Sequence, residues 1–557
     1  METPICDAAL DWGRGSGNVV ANPLTDVVWC GSEGGISMTQ ISQFVRRAVQ
    51  TGAGKLATVC GDRQRSWREF DDRIRRLAGA MHGLGFKPGD RVGILSLNSD
   101  RYLECLFGLS LGGFVFVPIN TRLAPPEIVF WLTDSGCSAL FVDGAFVPVL
   151  PKVLPETPDV KRVVYIGECT CPPELTDYEA LLAAARPFAG SIGADNDLAG
   201  IFYTGGTTGR SKGVMLSHNN IMSNALNIFP STLADEDTRY VHAAPMFHLA
   251  DNAMTYLVTG FRGTHYFMPR YEPLALLRAI EQYRINLLLI VPTMINMLVN
   301  HPDVAKHDLS SVERLLFGAS PMPEAVIRRA AEVMPGVKFC HLYGQSESSP
   351  VLTALDPRYT CFDGPYAGRV KSAGRAVLDC DIEIHDADDN EVPRGTIGEV
   401  CARGPMVMLG YWKQPELPAR TLRNGWLHTG DGAYMDDEGF IFIVDRVKDM
   451  IISGGENVYS AETEEALYSH KAVAECAVIG VPDETWGERV HAIVRLKPGM
   501  DATPEELIAH CHTLIANYKC PRTLDLREEP LPLSGAGKIL KTDLRAPYWS
   551  GKEKRVN

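Results

Sequence analysis

Nowhere in the 557 residues is there an uninterrupted run of about 18 apolar side chains, the length a membrane-spanning helix needs. The nearest approach, LECLFGLSLGGFVFVPI, is broken by Glu104, and LLLIVPTMINMLV is short and contains Pro292. Both read as buried core. Positive charge is also in short supply: 54 Lys and Arg stand against 68 Asp and Glu, a net charge of −14. Such a surface repels polyanions, so nucleic acid and anionic membrane are excluded as main partners, while a local basic site for phosphate stays open. The first residues, METPICDAALDWGRGSG, carry acids and no apolar stretch, so a secretory leader is not expected. The 14 cysteines include no C-x-x-C pair. Cys169 and Cys171 are too close for zinc-site spacing, and His510-Cys511-His512 is no better, so free thiols in a reducing cytoplasm are expected.

What remains is an ordinary globular composition, 45% hydrophobic and 22% charged, in a chain too long for one core. RSWREFDDRIRRLAGAMHGLG has apolar residues at helical spacing and ends in glycine. RVGILSLNS, SALFVDG, KRVVYIG, AGIFYTG, INLLLIVP and SVERLLFGAS are short strand-like runs between helical patterns. That alternation predicts doubly wound α/β layers. From about residue 366 the chain turns often and alternates as a small β-unit would. After GFIFIVDRVKD a glycine turn leads into a helix with Ser460 as its expected N-cap, and another helix is expected over 504–517.

Residues 202–218, FYTGGTTGRSKGVMLSH, crowd glycine, threonine and two cations into one loop. The spacing is not that of a Walker loop: the second glycine would fall on Arg210 or Ser211, and Lys212 precedes Gly213. A glycine-rich hairpin needs no ligand, but Gly205, Gly206 and Gly209 also let backbone N–H groups approach anionic oxygens. Thr204, Thr207 and Thr208 add hydroxyls, and Arg210 and Lys212 add charge-assisted donors. YTGGTTGRSKG resembles the phosphate signature of the adenylate-forming enzymes, a superfamily of acyl-CoA synthetases, peptide-synthetase adenylation domains and luciferases. Gly205 stands where that pattern has Ser, and Ser211 where it has Pro.

Further segments resemble the same superfamily in the same order over roughly residues 40–545. His341-Leu342-Tyr343-Gly344-Gln345-Ser346-Glu347 is similar to its YGxTE element, which implies Tyr343 on adenine and Glu347, with Thr204, on Mg²⁺. HTGDGAYMDDEGFIFIVDRVKD resembles the block whose aspartate holds ribose, here Asp431, with Ile443 and Arg446 following on the nucleotide. Lys448 sits at the implied hinge. PLSGAGKILKTDLR resembles the final signature, making Lys538 the lysine that reaches the α-phosphate and Lys541 the alternative.

The resemblance implies ATP, Mg²⁺ and CoA as co-substrates and cofactor, and a carboxylic acid activated as acyl-AMP and passed to a thiol. It implies a large multi-layer α/β domain over 1–446, with two doubly wound subdomains and a β-barrel-like unit. A smaller mobile α+β domain over 447–557 completes the expected architecture. Gly454, Gly455, Trp486, Tyr518 and Arg522 are the implied CoA contacts, with Lys519 beside them. His248 in PMFHLAD resembles the gate between acid and thiol, and Asn252, Gly318, Ala319, Ser320 and Gly344 border the acid and adenine. No aspartate is placed to hold an amino group, so a fatty, aryl or other carbocyclic acid is expected rather than an amino acid. Transfer to a carrier-protein phosphopantetheine is the alternative, and a nucleotide-binding protein without turnover a more distant one. A homodimer is a further expectation.

Overall fold

The computed structural model describes residues 39–550 except 205–210, 321, 417–420, 447–449, 454–455, 484 and 536. The predicted helix at RSWREFDDRIRRLAGAMHG runs Trp67–Gly83. Ser66 caps it through a reciprocal bond with Glu69, which satisfies first-turn N–H groups. Its apolar stripe packs on helix Asp100–Leu111, every residue of which is buried. That second helix is the apolar run interrupted by Glu104, whose carboxylate accepts from Arg73 at 2.6 Å and from the Tyr178 hydroxyl at 2.8 Å. A helix enclosed by protein, with its buried charges Asp100, Arg101 and Glu104 all paired, explains the run without a membrane. No helix among the described residues is long and apolar enough to cross one.

The strands form two large mixed sheets and two small ones. In the eight-stranded sheet, parallel strands Val115–Pro118, Arg91–Leu95 and Cys137–Val142 lead to β1 (Leu198–Thr204), which pairs antiparallel with β2 (Lys212–Ser217). The nine-stranded sheet carries β3 (Arg314–Gly318) parallel to β4 (Lys338–Gly344) and is fronted by α1 (Leu249–Gly260). A five-stranded antiparallel sheet follows, containing β5 (Asp381–His385), β6 (Gly398–Arg403), β7 (Trp426–Met435) and β8 (Ile441–Arg446). The last sheet is built from the long hairpin Val473–Asp483 and Gly487–Leu496, with Thr523–Leu526 added in parallel. The alternation read from sequence is therefore present as α/β layers, with a small β-unit and a smaller α+β unit at the C-terminal end.

Two local expectations differ. Ser460 is the first residue of helix Ser460–Tyr468 rather than its cap, and the preceding Tyr459 makes no side-chain cap. The Ser460 hydroxyl is buried and accepts a hydrogen bond from Lys541 at 2.5 Å, a tertiary partner that wins over local capping. The helix expected to reach 517 ends at His512. There the Thr513 hydroxyl donates to the His510 carbonyl and the chain folds back. Two glycines set how closely neighbouring chain segments approach the candidate site. A Cβ on Gly318 would stand 2.1 Å from the Leu342 carbonyl oxygen, and one on Gly344 would stand 1.9 Å from that of Pro350.

Candidate active site

The loop 205–210, with Gly205, Gly206, Thr207, Thr208, Gly209 and Arg210, lies outside the described residues, but both of its stems are described. Thr204 and Lys212 face each other as the last pair of the β1–β2 ladder. The Lys212 ammonium lies 5.1 Å from the centre of the Tyr411 ring, and the Tyr411 hydroxyl donates to Glu347 Oε1 at 2.8 Å. Thus a lysine from the phosphate-loop stem and a carboxylate from the end of the nine-stranded sheet meet across one tyrosine. Glu347 itself sits in the short turn Ser346–Ser348, which follows Gln345, and its carbonyl accepts from Met408 N at 2.9 Å. Sequence reading named Glu347 and missed Tyr411, which is far away in the chain and carries no motif of its own.

The next cluster lies at the C-terminal ends of β3 and β4, where ligands of open α/β sheets commonly bind. His341 stacks on Phe317 at 4.9 Å and hydrogen-bonds through Nδ1 to the Ser372 carbonyl at 3.1 Å. Gly318 and Leu342 form a register pair, followed by Ala319, held in the left-handed region at φ +70, and Ser320. That turn opens the edge of the sheet toward Tyr343 and Gly344. The Tyr343 hydroxyl donates to Asp431 Oδ2 at 2.8 Å, joining the expected adenine and ribose positions directly. On the other side of Asp431, the ladder of β7 and β8 pairs it with Arg446 and pairs Ala433 with Ile443. The Arg446 side chain and Lys448 lie outside the described residues. Removing the hydroxyl in Tyr343→Phe leaves the ring but takes one hydrogen bond from Asp431, so KM for ATP should rise about 10- to 100-fold, the worth of one hydrogen bond to a charged group. Initial-rate kinetics check this, and an unchanged KM would contradict the pairing.

His248 caps α1 by accepting from Ala250 N at 3.3 Å. Burial, and then the Lys538 ammonium, push its imidazole down to about 3. Lys538 therefore lies near enough to act on His248 through its charge, although 290 positions separate them in the chain. Its loop is seated by main-chain oxygens. Arg122 Nη1 donates to the Ser534 carbonyl at 2.6 Å and the Thr293 hydroxyl to the Gly537 carbonyl at 3.0 Å. A Cβ on Gly535 would come within 2.4 Å of the Asn120 amide, so only glycine lets the loop close in. Lys541 instead bonds Glu464 at 2.7 Å and Ser460, inside the C-terminal unit, which separates it from Lys538.

One turn into α1, Asn252 is fully buried, and neither its amide oxygen nor its nitrogen closes a hydrogen bond by geometry. The Thr255 hydroxyl on the same helix is equally unsatisfied, while the Tyr256 hydroxyl faces the Asn252 side chain without closing a bond of good geometry. Buried polar groups without partners cost about 1–3 kcal/mol each, so a ligand that meets them gains that much. On the C-terminal unit the Arg522 guanidinium lies 4.1 Å over the Trp486 ring, and both Trp486 and Tyr518 are exposed. Lys519 is engaged with Glu462 at 2.7 Å. Gly454 and Gly455 lie outside the described residues.

Burial also pushes His218 and His341 down to about 4, against opposing contributions from Asp195 and the Ser372 carbonyl. Folded values below the free imidazole's, near 6.5, mean that the unfolded chain binds protons first as pH falls. Stability should therefore drop between about pH 6.5 and 5, on the order of 1 kcal/mol for each such histidine. Urea midpoints at the two pH values measure it, and an unchanged midpoint would contradict neutral, buried rings.

Residues 44–412 match the family model described as AMP-binding enzyme, and residues 462–538 match that of the AMP-binding enzyme C-terminal domain. A feruloyl-CoA synthase from Amycolatopsis sp is 38% identical, over 87% of this chain and 94% of its own. The fatty acid–[acyl-carrier-protein] ligase ScoC from Streptomyces coeruleorubidus is 32% identical, over 90% and 95%. Among solved structures, the anthranilate CoA ligase AuaEII in complex with anthranoyl-AMP superposes with a TM-score of 0.85 at 26% identity, covering 93% of this chain and 98% of that one. With the family model spanning well over half the sequence, the chain belongs to the AMP-binding enzymes, the adenylate-forming superfamily of ligases.

Proposed function

We propose that the chain is an ATP-dependent acyl-CoA synthetase acting on an aryl acid with a polar substituent. The observation that supports this reading is the Lys538 loop, held by Arg122 and Thr293 with its ammonium close enough to His248 to lower the imidazole's affinity for a proton. In the first half-reaction a carboxylate oxygen attacks the α-phosphorus of ATP, and pyrophosphate leaves with the electrons of the broken P–O bond. Lys538 stabilises the charge that builds there, and Lys212 with Thr204, Thr207 and Thr208 clasps the departing phosphates. Glu347 and Thr204 would hold Mg²⁺, an all-oxygen donor pair suited to a hard cation, with Glu347 fixed by Tyr411. The ion supplies neutralisation of the phosphate oxygens.

In the second half-reaction the C-terminal unit turns about Lys448, at a boundary following residue 446, and presents Gly454 and Gly455 to the thiol. Trp486, Tyr518 and Arg522 receive the CoA nucleotide. The thiol sulfur attacks the acyl carbonyl, AMP leaves, and neutral His248 lines the passage between acid and thiol. The orphaned amide of Asn252 favours an acid bearing a hydroxyl or similar group over a bare alkyl chain. Its working compartment is the cytoplasm, where ATP and CoA are supplied and thiols stay reduced.

A pyrophosphate-release screen tests the reading, using hydroxylated aromatic acids and fatty acids of similar length, with and without CoA. Hydroxylated aromatic acids should release pyrophosphate and form thioesters. Release from no acid would overturn the synthetase reading. Release with CoA left unused would move the acceptor to a carrier protein.

A further inference from the structure

We propose that His385, Cys401 and His428 form a binding site for one Zn²⁺-type divalent ion in the small antiparallel sheet. The site follows from strand register. β5 and β6 pair Glu383 with Cys401 and His385 with Glu399, while β6 and β7 pair Cys401 with His428. Directly opposed residues, and residues two apart on one strand, share a face, so these five side chains project from the same side of the sheet.

They are also enclosed. His385, Cys401 and His428 are 3%, 0% and 6% exposed, and one donor atom from each lies within 4.8 Å of the other two. Cys401 Sγ is 3.3 Å from His428 Nδ1, which is 2.9 Å from Glu399 Oε2. An independent observation points to a ligand: His385 Nδ1 is buried with no hydrogen-bond partner, while its Nε2 lies 2.7 Å from Glu383 Oε2. A carboxylate on one ring nitrogen and an open position on the other is how proteins orient a metal-binding imidazole. His428 differs: its Nδ1 faces both Cys401 and Glu399, and its Nε2 has Asp389 only at 3.9 Å. One sulfur and two imidazole nitrogens suit a borderline-soft ion and suit Mg²⁺ poorly, with a solvent molecule to complete a four-coordinate shell; Glu399 supports the His428 ring and lies 3.7 Å from Arg423. A second cluster, Cys60 with Asp100 and Glu168, does not qualify, because Arg63 and Arg65 already neutralise it.

Binding replaces the Cys401 thiol proton, released to solvent, by an S–metal bond, and no electron is transferred. The ion clips three strands together. His428 lies three residues before Asp431 on β7, so the clip also fixes the strand that carries the candidate ribose ligand.

The test uses the full chain with Cys169→Ser and Cys171→Ser, which removes the more accessible thiol pair. Protein expressed in zinc-supplemented medium is assayed by mass spectrometry for metal, and cobalt-loaded protein is scanned for a thiolate-to-cobalt charge-transfer band. About one zinc per chain and a clear band are expected, both lost in Cys401→Ser. Should that variant fail to fold, Glu383→Gln keeps every ligand and should lower metal affinity about 10- to 100-fold. Zinc well below one per chain, a cobalt spectrum without the band, or unchanged metal binding in the folded variants would overturn the site. Mg²⁺ competition separates it from the cleft, since Glu347 and Thr204 offer no sulfur.

Discussion

Replacing Lys538 with alanine should cut acyl-adenylate formation by about 10²- to 10³-fold, the usual loss when a group stabilising transition-state charge is removed. Thioester formation from supplied acyl adenylate should change little. The two outcomes differ because, on the proposed reading, Lys538, whose loop is held by Arg122 and Thr293, serves charge at the α-phosphorus. In the second step AMP is already formed, and no new negative charge builds at that phosphorus. Lys541→Ala is the matched control. Its ammonium serves Glu464 and Ser460 within the C-terminal unit, so its loss should lower stability without favouring either half-reaction. Pyrophosphate release and acyl transfer, assayed separately, distinguish the variants, and equal loss of both steps in Lys538→Ala would refute the assignment.

Glu347→Gln should lower kcat/KM for ATP by about 10²-fold and raise the Mg²⁺ concentration needed for half-maximal rate. The substitution keeps the side-chain length and an oxygen for the Tyr411 hydroxyl, while the backbone contact from Met408 to the Glu347 carbonyl is untouched. What disappears is charge. Tyr411→Phe should have a smaller effect, about 10-fold, because the carboxylate remains but is no longer held. A Glu347→Gln enzyme with an unaltered Mg²⁺ dependence would remove this residue from the metal site. Titrating Mg²⁺ at saturating acid makes the measurement direct.

The reach of the sequence differs from residue to residue. Thr204, Lys212, Tyr343, Glu347, Asp431 and Lys538 lie in short segments that resemble the superfamily's signatures, and it is the resemblance, not residue type alone, that singles them out. The alternating strands and helices were legible directly, since periodicity is written along the chain. Arg122, Thr293 and Tyr411 were not legible. Each acts on a partner between 64 and 412 positions away, and nothing in its own neighbourhood marks it. Ser460 illustrates the converse error: its local signal for a helix cap was sound, but a buried contact with Lys541 decided its place. The His385, Cys401 and His428 group escaped because its members come from three strands, with none of the close spacing that marks zinc sites in a sequence.

The way the Lys538 loop is seated has a consequence for how such enzymes can be recombined. Arg122 and Thr293 grip carbonyl oxygens of residues 534 and 537, groups every amino acid supplies, while Gly535 contributes by having no side chain. The grip therefore reads backbone shape and is nearly blind to side-chain identity. A C-terminal segment from another member of the superfamily, exchanged whole, would present the same two oxygens if it kept its glycines and its lysine. The junction is thus a standard fitting, and the chain on either side of it is free to diversify on a separate schedule.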